Sequence, residues 1–216
     1  SDFARMPSVV AEGRRVVNNI QKAATLYLTK NIFSLFLALF SVINVLSYPL
    51  TPSQITLISM FTIGIPSFVV SLEPNRELIK GKFLANVFRM AAPAGLTTFI
   101  SVSSLVVFGE VFDINKECIS TSSTMLVALV GFMILSKVLK PSNRIHVALI
   151  AVMIIGMGYC IVFMPEMFGI SSISMQAAML LVVFLIATEA VFRYIYKFLE
   201  LVGNIGKRGK KKKRKH

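Results

Sequence analysis

Few residues in this 216-residue sequence could do chemistry, and they are sparse. Lys30 and Asn31 stand together at the head of the apolar run "IFSLFLALF". An ammonium and an amide inside a helix bundle could form part of a cation site, because ionisable groups in hydrocarbon are costly and are kept for function. The plainer alternative puts Lys30 at the membrane interface, with its head snorkelling to water. A second group is Ser59, Thr62, Gly64, Pro66 and Ser67 in "SMFTIGIPS". Gly and Pro two residues apart weaken a helix and free its carbonyls. Those carbonyls and the neighbouring hydroxyls are the hard oxygen ligands of midplane ion sites. The alternative here is an ordinary proline kink whose hydroxyls bond back to their own helix. A third pair, Glu189 and Arg193, is one helical turn apart and fits a structural ion pair near an interface. Asn44 fits an interhelical hydrogen bond. Cys118 and Cys160 have no metal-ligand spacing. There is no H-E-x-x-H, P-loop, nucleophile elbow or dinucleotide-binding glycine pattern.

The elements that must position these groups follow from composition. The chain is 55% hydrophobic but only 15% charged, against about one-quarter charged in soluble domains, and its mean hydropathy is +0.74. The apolar residues fall in blocks of roughly 18–25, the length that crosses a bilayer. Six spans are expected, at about 23–48, 53–72, 87–109 (interrupted by "APAG" at 92–95), 122–139, 145–164 and 175–196. The fold class is therefore all-α, a polytopic membrane protein. Ahead of the first span, Val9, Val10, Gly13, Val16, Val17, Ile20 and Ala24 share one helical face. Residues 8–22 thus read as an amphipathic helix running straight into the first span.

The net charge is +13, and its distribution decides its meaning. Arg14, Arg15, Lys22, Arg76, Lys80, Lys82, Lys137, Lys140, Arg144 and the tail "GKRGKKKKRKH" (206–216) fall on one side; Lys116 lies on the other with Glu110, Asp113, Glu117 and Glu166. The positive-inside rule makes both termini cytoplasmic, as an even number of spans requires. The basic tail reads as an anchor to anionic lipid, at about 1 kcal/mol per basic residue near the surface. Nucleic acid is not expected as a partner. The start "SDFARMP", with no initiating methionine and no signal-peptide pattern, reads as a piece of a longer chain.

The stretch "SDFARMPSVVAEGRRVVNNIQKAATLYLTKN" resembles the junction between the phosphorylation domain and the fifth membrane helix of P-type cation-transporting ATPases. The resemblance rests on Asp2 and Phe3, the run Val10 to Arg14 matching "V-x-E-G-R", and the pair Asn18 and Asn19. It extends to "FTIGIPSFVVSLEPN" (61–75), similar to the sixth-helix segment, and is nearest to bacterial, calcium-pump-like members. The division it implies is 1–7 the end of the phosphorylation domain, 8–22 a cytoplasmic stalk, 23–197 six membrane helices and 198–216 a basic cytoplasmic tail. Asn31 then matches a cation-ligand asparagine, and Ser34 falls where calcium pumps have a ligand glutamate. Ser59 and Thr62 match ligand positions, with the carbonyls near Gly64 and Pro66. Ile63 falls where calcium and sodium pumps have an aspartate. Lys30 matches a lysine that serves proton/potassium-pump members as an internal positive charge.

With two family carboxylates replaced, the resemblance implies a single cation site whose main carboxylate lies on a fourth helix outside this sequence. Lys30 then stands in for a second cation, because a fixed ammonium repels another charge nearby. The transported ion implied is calcium; proton, magnesium, manganese and polyamine stand beside it. The parent protein is expected to use ATP and Mg2+, to sit in the cell membrane, and to supply an N-terminal catalytic part. This sequence holds no phosphorylated-aspartate motif or nucleotide-binding domain, so it is expected to bind no cofactor and to hydrolyse no ATP alone. Two rival readings are a free-standing six-helix transporter or channel, and a non-catalytic membrane scaffold.

Overall fold

The computed structural model describes residues 6–75, 78, 81–139 and 144–213, with side chains as far as 202 apart from that of Pro7. Asp2, Phe3, Arg76, Lys80, Lys140 and the side chains of the basic tail lie outside the described residues. The elements are α1 (Met6–Ile43), α2 (Pro52–Ser59), a π-helical turn (Met60–Gly64), α3 (Ile65–Leu72), α4 (Phe83–Val111), α5 (Lys116–Leu139), α6 (Arg144–Phe163), α7 (Pro165–Phe168) and α8 (Met175–Lys213). Six helical stretches are long and apolar enough to cross a membrane, and no strand occurs among the described residues. The chain is an all-α, multi-pass membrane protein.

The amphipathic lead-in and the first span are one uninterrupted helix of 38 residues, because nothing after Pro7 removes a backbone donor. It stops at Ile43, five residues before the expected end. There Asn44 Nδ2 donates to the Phe40 carbonyl at 2.8 Å, and Val45 takes a left-handed φ of 55°. The expected break at 92–95 is absent: α4 runs through Pro93. A membrane helix tolerates proline when its neighbourhood stays satisfied, and here Thr97 Oγ1 donates to the Pro93 carbonyl at 2.7 Å. Helix α5 starts six residues before the expected 122. Asn115 Oδ1 accepts the Glu117 N–H at 2.9 Å and holds the first turn. The hydroxyls beyond it find partners, Ser120 on Gln54 Oε1 and Thr121 on the Ser171 N–H. Helix α8 continues past the expected span to Lys213.

Helices α4 and α5 are the most buried spans; α6 and α8 keep most of their surface outward. Helix α1 packs along α4, and Gly95 is what lets them meet. A Cβ there would lie 2.6 Å from Ile32 Cγ2 and 3.0 Å from the Thr29 carbonyl oxygen. Close helix contact through small residues is how membrane helices gain packing without a hydrophobic drive.

The two ends of the α2–α3 rod are both fastened. At one end Thr51 and Gln54 form a capping box. The fully buried Gln54 also donates to the Gly169 carbonyl at 2.8 Å and accepts from Ser120 Oγ at 2.9 Å. At the other end, side chains of α1 cap the last carbonyls of α3, where the helix dipole is negative. Arg15 donates to the Leu72 and Glu73 carbonyls at 3.0 and 3.2 Å, and Asn19 to the Glu73 carbonyl at 2.8 Å. The Glu73 carboxylate accepts from Lys22 Nζ at 2.9 Å and meets His146 Nε2 of α6 at 3.0 Å. Burial pushes the Glu73 carboxyl up, but the hydrogen bonds and charges of Lys22 and His146 outweigh it and hold it below the usual carboxylate value.

Candidate cation site

Between these fastened ends lies the part of the rod that departs from α-helix. The Ile65 N–H reaches back five residues to the Met60 carbonyl, closing the π-helical turn. Pro66 then offers no N–H to the carbonyls four and five residues behind it, those of Thr62 and Phe61. Insertions of this kind recur at functional sites.

A cavity of about 40 Å³ opens beside this turn, enough for a few water-sized particles. Lys30, Ser59 and Thr62 line it together, with Thr29 and Thr98 adding hydroxyls, in a wall otherwise mostly apolar. Three of the hydroxyls spend their protons on their own helices: Thr29 on the Thr25 carbonyl at 2.8 Å, Thr62 on the Ile58 carbonyl at 2.7 Å, Thr98 on the Ala94 carbonyl at 2.9 Å. What such an oxygen can still offer is lone pairs, so it can serve a cation as ligand. Gly131 of α5 closes one side. A Cβ there would stand 2.9 Å from Thr62 Cγ2 and 3.4 Å from its Oγ1.

The remaining residues singled out in the sequence sit elsewhere. Asn31 follows Lys30 by the roughly 100° of one helical step and lies exposed, outside the cavity lining, on the stripe that also holds Tyr27 and Leu35. Ser34 pairs with the Tyr48 hydroxyl at 3.3 Å, and burial raises the Tyr48 phenol above its ordinary value despite that hydrogen bond. Gly64 is half-buried and Pro66 buried; both act on the site through the backbone rather than as lining. Glu189 accepts from Arg193 Nε and from Lys137 Nζ, each at 3.1 Å, which ties α8 to α5. Thr29, Thr98 and Gly131 were not singled out in the sequence. Threonine and glycine in apolar helices carry no local mark of the distant partner they meet.

The electrostatics limit what the cavity accepts. Lys30 is the one charged residue of its lining. No group of three His, Cys, Asp or Glu side chains able to hold a metal ion occurs among the described residues. A fixed ammonium and neutral oxygens do not balance a bare divalent ion.

No family model matches the sequence. The chain is 36% identical over 163 residues to the calcium-transporting ATPase CtpE of Mycolicibacterium smegmatis, a match covering 69% of this chain and 21% of the relative. It is 33% identical over 177 residues to the calcium-transporting ATPase CtpE of Mycobacterium tuberculosis, covering 74% and 22%. A probable cation-transporting ATPase of Streptococcus pneumoniae is 34% identical over 158 residues, covering 69% and 20%. The matches span about a fifth of the length of these curated relatives.

Proposed function

From its homology to part of the P-type cation-transporting ATPases, we propose that this chain is the ion-pathway portion of an ATP-driven cation pump. The observation that carries the reading is the cavity shared by Lys30, Ser59 and Thr62, beside a π-turn and a proline, on two helices joined by the Arg15, Asn19 and Lys22 contacts. Residues 8–22 act as the stalk and residues 23–197 as the membrane domain. The catalytic part of the same protein, with ATP and Mg2+, drives the stalk. Both termini face the cytoplasm, across the cell membrane. Hydroxyl oxygens of Ser59 and Thr62 and the carbonyls freed near Gly64 and Pro66 bind the ion. Lys30 is the built-in positive charge that takes the place of a second one.

Asn31 faces away from this cavity and Ser34 is held by the Tyr48 hydroxyl, so neither is a ligand of the ion bound there. A polar amide exposed mid-span is costly against lipid, which supports a further membrane segment of the longer protein covering that stripe. The carboxylate that a cation requires comes from a helix of the longer protein that reaches the cavity beside Lys30, Ser59 and Thr62. Calcium is the ion proposed, on the names of the mycobacterial relatives.

The test is ion uptake by vesicles carrying the full-length protein. Thr62→Val keeps shape and removes the oxygen, so uptake falls at least tenfold while protein level is unchanged. Lys30→Met changes the number of ions moved per ATP or shifts the pH profile of uptake. Wild-type uptake and stoichiometry in both variants refute the site.

A further inference from the structure

One surface groove is independent of the cation site. It has a volume of about 460 Å³ and is lined only by α8: Ile186, Glu189, Ala190, Arg193, Tyr194 and Lys197. These residues share one face at helical spacing, with the apolar Ile186 and Ala190 at one end and the basic pair at the other. Arg193 is 18 residues from the start of α8, about 27 Å along the axis, and Lys197 about 33 Å. The hydrocarbon is about 30 Å thick. A membrane entered at Met175 therefore ends where these two cations stand.

The charge balance points to an anion. Glu189, the groove's carboxylate, is taken up by Lys137 Nζ and Arg193 Nε. Arg193 and Lys197 outnumber Glu189, whose charge Lys137 of α5 already meets, so the groove is left net positive. The contact through Nε leaves the terminal amino groups of Arg193 available, and its side chain is 72% exposed. Tyr194, 77% exposed, adds a hydroxyl beside them. A phosphate at headgroup depth meets charged and hydroxyl donors here, while a chain attached to it runs along Ala190 and Ile186 toward the membrane centre.

We infer that this face of α8 binds one anionic phospholipid, its phosphate on Arg193, Lys197 and Tyr194 and its acyl chain along Ala190 and Ile186. The site is separate from the basic tail, which begins beyond it. A free phosphate would satisfy the donors but would leave the apolar half of the groove unused.

The test uses the full chain purified in mild detergent, with phosphatidylglycerol and phosphatidylcholine offered in equal amounts and counted by native mass spectrometry. One phosphatidylglycerol per chain remains through washing. Lys197→Gln, which leaves the Glu189 ion pair intact, weakens retention about fivefold, as the loss of one basic side chain near an anionic surface predicts. Arg193→Gln with Lys197→Gln weakens it about 25-fold, with the melting temperature of each variant reported alongside. Neutralising Lys210, Lys211, Lys212 and Lys213 leaves the tightly held lipid in place. Equal retention of phosphatidylcholine, loss of the lipid on tail neutralisation, displacement by millimolar inorganic phosphate, or unchanged retention in Lys197→Gln each overturns the site.

Discussion

Glu73→Gln tests the junction at the C-terminal end of α3. The carboxylate meets Lys22 Nζ and His146 Nε2, and the three side chains are 23%, 18% and 8% exposed. Exposed ion pairs contribute about 0–1 kcal/mol, and breaking a buried pair costs about 3–5 kcal/mol. At these exposures, and with an amide that still offers one acceptor, the loss at neutral pH is about 1–2 kcal/mol. For a chain of this size that corresponds to about 2–8 °C in melting temperature. The sign with pH follows from the lowered native value of Glu73. A carboxyl held lower in the folded state contributes stability that is complete above the unfolded value, about 4.3. That contribution disappears as pH falls through the native value. The gap between wild type and Glu73→Gln is therefore present at neutral pH and narrows as pH falls below the unfolded carboxyl value toward the lower native one. Thermal unfolding followed by circular dichroism in detergent, at steps of half a pH unit, measures it. Equal melting temperatures at pH 7, or a gap that survives acidification, would refute the reasoning.

Further outcomes follow from packing. Gly131→Ala forces Thr62 aside, since the new Cβ would lie 2.9 Å from Thr62 Cγ2; cation uptake by the full-length protein falls several-fold, and adding Thr62→Ser, which removes that methyl, restores much of it. Gln54→Leu leaves the Gly169 carbonyl and the Thr51 N–H without their partner. Both residues are exposed, so water replaces these partners and only the net worth of two hydrogen bonds, about 0.5–1.5 kcal/mol each, is lost: about 1–3 kcal/mol in unfolding free energy, read from detergent or urea titration. Pro66→Ala returns an N–H to the ladder and stiffens the rod; uptake falls while thermal stability holds or rises.

The spans were legible because bilayer-length apolar blocks leave a signature in any window of the sequence. Their ends were less so, since Asn115 starts α5 and Val45 turns the chain through single local contacts. Pro66 and Gly64 announced a weak point, but periodicity does not reveal whether a helix kinks, breaks or gains a residue; here it gains one. Lys30 and Asn31 read as a pair because they are adjacent. A helix turns about 100° between neighbours, so only Lys30 reaches the cavity with Ser59 and Thr62. Thr98 and Gly131 come from helices far along the chain, and only packing brings them to α2 and α3. The basic groups that cap α3 were visible as charges, and their target, the carbonyls of residues 71 to 73, was not.

The unbroken α1 has a mechanical ratio. Where Thr29 and Ile32 bear on Gly95, the helix rests against a fulcrum. About 36 Å of rod lie between residue 30 and Met6, and about 20 Å between it and Ile43. A sideways displacement of about 3 Å at Met6 is then a tilt of about 5°, and Ile43 swings about 1.7 Å the opposite way. The Arg15 and Asn19 contacts lie on the long arm, so the C-terminal end of α3 is carried with it while Gln54 holds the N-terminal end of α2 in place. Such a tilt shears the rod of α2 and α3 across the π-turn, where Pro66 withholds an N–H from the ladder.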